Sequence, residues 1–149
     1  MGRLRDDPAR LRRQTYPQML EMRVSYADVD SFQHLNSVAL GRFFEEARAS
    51  MNMGLFGVDT VVRPSAGVQL LFANIAIDYV SQGRYPGMVS IGTAVSKIGR
   101  SSFTQAAALF QDDRCIALCD AVTVFAKDGQ AADLPSDIRA ALETLSFRS

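Results

Sequence analysis

From residue 68 to residue 126 the chain divides into four strand-like runs, and one long amphipathic stretch stands before them. The runs cover 68–80, 88–98, 102–111 and 115–126; SQGRYPG, GRS and DDR separate them, and KDG closes the last. In the second run Val89, Ile91, Thr93 and Val95 alternate with their neighbours, the period of a strand with one buried face. The third alternates weakly, because its alanines carry little period signal. Successive runs joined by short polar turns predict an antiparallel meander. An earlier run at 18–25 sets Met22 and Val24 against Glu21, Arg23 and Ser25, which adds a fifth strand.

The amphipathic stretch is 38–53, where Leu40, Phe43, Phe44, Ala47 and Met51 recur at helical steps as one apolar stripe. Asn36 or Ser37 stands where an N-cap belongs, and Gly54 follows as a stop. Residues 56–67 read as a connector, marked by Gly57, Pro64, Ser65 and Gly67. A closing helix over 134–145 opens on Pro135, Ser136 and Asp137 and puts Ile138, Ala141, Leu142 and Leu145 on one face. One helix cannot cover both faces of a five-stranded sheet. It packs on one concave face, since sheets twist and wrap, and the class is α+β. The other face or an edge is left to pair with another subunit.

A chain of 149 residues predicts one domain, over 18–149, after an Arg-rich segment 1–17 expected to be a flexible or loosely docked tail. Sixteen basic and sixteen acidic residues balance, which argues against a general polyanion binder such as a nucleic-acid-binding protein. Cys115 and Cys119 are four residues apart in one run, so strand geometry puts both on one face, roughly 13 Å apart and too far to bridge. With one His and two Cys, a zinc cluster is not expected. No run approaches the ~20 apolar residues of a membrane span. The start lacks the apolar core of a secretory signal, so Arg12-Arg13 is no convincing export signal. Asp6 stands where a myristoylation motif wants Ser or Thr, and Asp6 and Asp7 oppose a transit peptide. A cytoplasmic protein with reduced thiols is the expectation.

Between the first strand and the long helix lies YADVDSFQHLNS, residues 26–37, holding two Asp, an Asn and the only His. A turn explains the Asp, Asn and Ser; an active-site loop explains them all. The order of elements resembles the hotdog fold, a curved sheet wrapped around one long helix. Residues 25–48, SYADVDSFQHLNSVALGRFFEEAR, are similar to the signature of the 4-hydroxybenzoyl-CoA thioesterase-like group of acyl-CoA thioesterases. That signature runs aromatic-x-Asp-x-Asp-x-x-Gly-His-x-Asn-Asn, then a helix bearing Phe-x-Glu-Ala-Arg. Tyr26, Asp28, Asp30, His34, Asn36 and the run from Phe44 to Arg48 fit it, and residues 75–103 resemble the family's later strands. Two positions depart. Gln33 replaces the Gly before the His, as in the long-chain acyl-CoA branch, and Ser37 replaces the second Asn.

The resemblance implies an acyl-CoA thioesterase with Asp30 as catalytic carboxylate, either attacking the thioester or acting as general base on water. It implies a backbone N–H near Ser37 as oxyanion donor, at a helix start whose first N–H groups lack intrahelical acceptors. His34 is then a support that orients Asp30 or lines the pocket; Asn36 is an N-cap or a substrate contact. Asp28 reads as a loop-bracing acceptor. Glu46 is a reserve catalytic candidate, because a helix glutamate carries catalysis in another hotdog branch. Otherwise Glu46 pairs with Arg42 and Glu45 with Arg48 on the helix surface. Arg84, Lys97, Arg100, Ser101 and Ser102 are candidates for coenzyme A, whose phosphates want cations. Coenzyme A is part of the substrate, and no cofactor is implied. The family expectation is a homotetramer built from dimers, with the site at a dimer interface. The rival reading is a non-catalytic hotdog module binding acyl-CoA or acyl-carrier protein. A hydratase is disfavoured, since the string Gly-Asp-x-Asn-Pro-x-His is absent.

Overall fold

The apolar stripe forms one twenty-residue helix, α1 (Ser37–Phe56), in the computed structural model, which describes residues 2–63 and 67–149. The strands are β1 (Gln18–Arg23), β2 (Val68–Tyr79), β3 (Met88–Ile98), β4 (Ser102–Gln111), β5 (Arg114–Lys127) and the two-residue β6 (Gln130–Ala131). Two short helices complete the chain, α2 (Val58–Val62) and α3 (Ser136–Glu143). All strand pairs are antiparallel, in the order β1-β3-β4-β5-β2, with β6 on β5. Among the described residues, no helix is long and apolar enough to cross a membrane.

The sheet wraps α1. Ala39, Leu40, Phe43, Phe44 and Ala47 pack against Val89 and Ile91 of β3, Ala107 and Leu109 of β4, and Ile116, Ala117 and Cys119 of β5. Asn36 is the N-cap, its side-chain oxygen accepting the Ala39 N–H at 2.8 Å. Gly54 does not end the helix. Leu55 and Phe56 pack on the cluster around Met51, Phe103 and Phe125, which favours one more turn. The stop is Gly57, whose φ of 88° ordinary side chains avoid. The expected connector contains α2; Pro64 and Ser65 lie outside the described residues.

The meander holds only from β3 to β5. The first of the four runs, β2, skips β3 and pairs with β5, and residues 80–87 cross the end of the sheet to reach β3. That leaves β2 as one free edge. The DDR hairpin is as expected: Asp112 and Asp113 both have positive φ, 53° and 62°, as a two-residue turn matching strand twist requires.

The tail is not free. Residues 4–15 form three short 3-10 turns laid across the sheet's outer face. Leu4, Leu11 and Tyr16 pack there with Ala94, Ala108, Phe110, Cys115, Leu118 and Phe147. Tyr16 sits over Gly92, where a Cβ would come within 2.7 Å of the ring. Arg10 is buried, and its Nη2 donates to Asp120 at 2.7 Å. Tyr16 closes the strap by donating its hydroxyl to the Arg10 carbonyl at 2.8 Å. This cover explains the weak alternation of β4, because residues 105–111 are buried on both faces.

It also separates the cysteines. A bulge pairs Leu109 with Ala117 but Phe110 with Cys115, so Ile116 is the extra residue and the side-chain period slips. Cys119 therefore faces α1 while Cys115 faces the strap, rather than both lying on one face. Both thiols are free and buried, and burial pushes each up to about 11.

Candidate active site

The loop between β1 and α1 is tied at both ends. Asp28 is buried; its Oδ2 accepts the Ser25 N–H at 2.7 Å, and Arg42 Nη2 donates to both its oxygens at 2.8 Å. The Asp28 carbonyl accepts the Asn36 N–H at 2.8 Å, so the point where the loop leaves β1 is fastened to the start of α1. Asp28 is the brace its position predicted. Arg42 is thereby taken from Glu46, and the expected helix-surface pair does not form.

Between these ties Asp30 organises a tight turn. Its carbonyl accepts the Gln33 N–H at 2.9 Å, and its own N–H donates to the His34 carbonyl at 2.9 Å. Asp30 Oδ1 accepts two more backbone donors, Phe32 N–H at 2.8 Å and His34 N–H at 3.2 Å. Oδ2 accepts none among the described residues, and Asp30 is exposed. One oxygen is fixed by the loop and the other is left without a partner among the described residues. Gln33 has φ of 63°, the left-handed region where glycine is preferred, which is why a Gly is usual at that signature position.

The start of α1 supplies donors. Asn36 satisfies Ala39 through its side chain and Leu40 through its carbonyl, the latter at 3.1 Å. The N–H groups of Ser37 and Val38 have no intrahelical acceptor, and both residues are exposed. A free carboxylate oxygen and two unfilled N–H groups at a positive helix end thus share one loop–helix junction.

A family model, the thioesterase-like superfamily, matches residues 24–142. The chain belongs to the thioesterase-like superfamily. No curated protein matches it in sequence. Among solved structures it is similar to the PA5185 protein of Pseudomonas aeruginosa, at 24% identity and TM-score 0.81 over 93% of this chain and 98% of that one. It is similar to a Thermus thermophilus thioesterase complexed with coenzyme A and Zn, at 21% identity and TM-score 0.77 over 89% and 96%. A 1,4-dihydroxy-2-naphthoyl-CoA thioesterase from Synechocystis matches at 15% identity and TM-score 0.74, over 85% and 96%. At these identities the likeness shows the fold, and it is the hotdog fold expected from the order of elements.

Within this thioesterase-like chain the remaining candidates divide. His34 is half-buried and forms a backbone bridge with Arg84, so Arg84 is brought to the Asp30 loop. It is the His34 backbone that holds Asp30; the ring forms no hydrogen bond among the described residues. Lys97, Arg100, Ser101 and Ser102 lie at or just past the opposite end of β3, whose last residue, Ile98, is ten residues from Met88 and roughly 33 Å along the strand. Arg100 is paired there with Asp133 at 2.7 Å. One chain therefore does not bring these four to Asp30. Glu46 is exposed on α1 and forms no ion pair among the described residues.

Arg48 is not the surface residue its charge suggested. The expected pair with Glu45 does not form, because Arg48 turns inward: it is 5% exposed, with its guanidinium 4.7 Å from the Phe72 ring centroid. Its place four residues after Phe44, on the apolar stripe, was the available signal.

Proposed function

We propose that this protein hydrolyses an acyl-CoA to free acid and coenzyme A, with Asp30 as the carboxylate and the Ser37 and Val38 N–H groups as oxyanion donors. The observation that carries this reading is the junction of Asp30 Oδ2, which is free, with the unfilled N–H groups of α1. Either Oδ2 takes a proton from a water whose oxygen attacks the carbonyl, or Oδ2 attacks and forms an anhydride that water opens. In both routes the C–S bond breaks, the thiolate leaves and is protonated, and the acid is released. An oxyanion donor typically lowers such a barrier by about 3 kcal/mol. His34 serves as a pocket-lining support and Arg84 as a phosphate contact. The reading calls on no cofactor.

A homo-oligomer, dimer or tetramer, is part of the proposal. β2 is a free edge carrying exposed Leu71, Phe72, Ile75 and Tyr79. A second copy paired antiparallel along β2 would bring its β3–β4 turn to the end of the sheet that holds this chain's Asp30 loop. That turn carries Lys97, Arg100, Ser101 and Ser102, so the four distant candidates would serve across the interface.

The test is release of free thiol from a panel of short, long and aromatic acyl-CoAs. Turnover of any member supports hydrolysis. Saturable acyl-CoA binding with no thiol released by any member would favour a binding module instead.

A further inference from the structure

The last residue of β1, Arg23, pairs with the first of β3, Met88. Leu20 and Met22 of β1, and Val89 and Ile91 of β3, pack toward α1. Alternation therefore turns Arg23 and Met88 to the opposite, outer face, where both are exposed. Beyond this pair the chain runs through Ser25 and Tyr26 into the Asp30 loop, and it returns to β3 through Tyr85, Pro86 and Gly87. These segments enclose a cavity of about 440 Å³, lined by Arg23, Tyr26, Tyr85, Pro86 and Met88 among others. Small-molecule sites span roughly 300–1,000 Å³, so it is large enough to hold a bicyclic ring. Among the described residues, none of the strap lines it.

Tyr26 and Tyr85 stand edge to face, with ring centroids 5.6 Å apart and planes at 85°. They form a corner: a flat ring lying on one presents its face to that ring and meets the other edge-on, and both contacts suit the aromatic quadrupole. Tyr26 is 70% exposed and Met88 51%, so apolar surface is left bare in one place. The Met88 thioether can adapt to a ring edge beside them.

Arg23 forms no ion pair among the described residues, and no acid lines the cavity. A free guanidinium fork next to an aromatic corner fits a planar anion, which it can hold by two parallel hydrogen bonds. Arg23 is the one cation in the lining, and this matches a monoanion rather than a phosphate dianion.

We propose that this cavity binds a planar aromatic monocarboxylate, its ring in the Tyr26–Tyr85 corner against Met88 and its carboxylate on Arg23. β1 is the edge of the sheet opposite β2, so a second copy paired along β2 leaves the cavity open. The site uses neither Asp30 nor thioester hydrolysis.

Titration calorimetry of the full chain with indole-3-carboxylate, indole-3-carboxamide and cyclohexanecarboxylate tests it. The amide keeps the ring without the charge, and cyclohexanecarboxylate keeps the charge without the aromatic ring. Wild type is expected to bind indole-3-carboxylate at least about tenfold more tightly than either, because each control loses one of the two contacts. Arg23→Met should bring the acid down to the level of the amide and leave amide binding within about twofold. Tyr26→Leu should weaken the acid at least about fivefold. Both side chains are exposed, so thermal midpoints should stay level, and either variant alone decides the outcome if the other does not fold. Asp30→Asn should bind the acid as wild type does. Equal affinity of wild type for acid and amide, no saturable binding of the acid, or unchanged acid affinity in a folded Arg23→Met or Tyr26→Leu overturns the proposal. Loss of binding in Asp30→Asn also overturns it, because the ligand would then sit at the Asp30 loop. These readouts need no thiol release, so its absence leaves them decisive.

Discussion

Arg42, in the second turn of α1, holds both carboxylate oxygens of Asp28 at 2.8 Å from a single nitrogen, and so clamps the Asp30 loop to the helix. Arg42 is half-exposed but Asp28 is buried, with side-chain exposures of 47% and 8%. Arg42→Met leaves that carboxylate without its cation. The expected cost is about 2 kcal/mol, below that of a fully buried pair because solvent screens one partner. Denaturant midpoints read it, and Asp28→Asn in the same chain should recover part of the loss.

Gln33 holds a backbone conformation that costs a non-glycine residue about 1 kcal/mol. Gln33→Gly should therefore be neutral to stabilising by up to about 1 kcal/mol. Gln33→Val, β-branched at the same φ, should lower the thermal midpoint and loosen Asp30. A valine variant as stable as wild type would contradict the strained turn.

The strap on the outer face has its own signature. Arg10→Met removes the cation beside Asp120, and deletion of residues 1–14 uncovers Phe110, Cys115 and Leu118. The deletion should raise binding of a hydrophobic dye and cause concentration-dependent association, measured by light scattering. A monodisperse truncated chain with no added dye binding would show that the strap covers nothing that matters.

Burial also sets the alkaline limit. Cys115 and Cys119 are pushed up to about 11 and Tyr16 to about 12. Each keeps its proton in the fold above the pH at which the unfolded chain loses it. The unfolded state then binds fewer protons, so stability falls as pH rises from about 9 to 12. Thermal midpoints should decline over that window and stay level from pH 7 to 8.5. At pH 8 a thiol reagent should label neither cysteine in the native chain, and both in denaturant.

The sheet, α1 and the Asp28–Asn36 loop were legible because period, caps and turn residues are local properties. What escaped was decided by contacts distant in sequence. β2 pairs with β5 because residues 80–87 cross the sheet end, which no period encodes. The slip at Ile116 is one residue in an unbroken apolar run, so the two cysteines looked alike. Residues 4–15 read as a tail because Arg10 and Tyr16 find their partners on β5 and at the C-terminus. Arg48 read as a surface charge because its burial depends on Phe72, across the space between helix and edge strand. At the site, Asp30 and the helix start were visible in the motif. That the His34 backbone, and not its ring, holds Asp30 became visible only in three dimensions.

The most direct test of the account is kcat/KM for thiol release by wild type and Asp30→Asn on one acyl-CoA that wild type hydrolyses. Asparagine keeps the Oδ1 acceptor for Phe32 and His34, so the loop should survive while the free carboxylate oxygen is lost. A fall of about a hundredfold or more, with an unchanged thermal midpoint, is predicted. An Asp30→Asn variant as active as wild type would contradict the central claim.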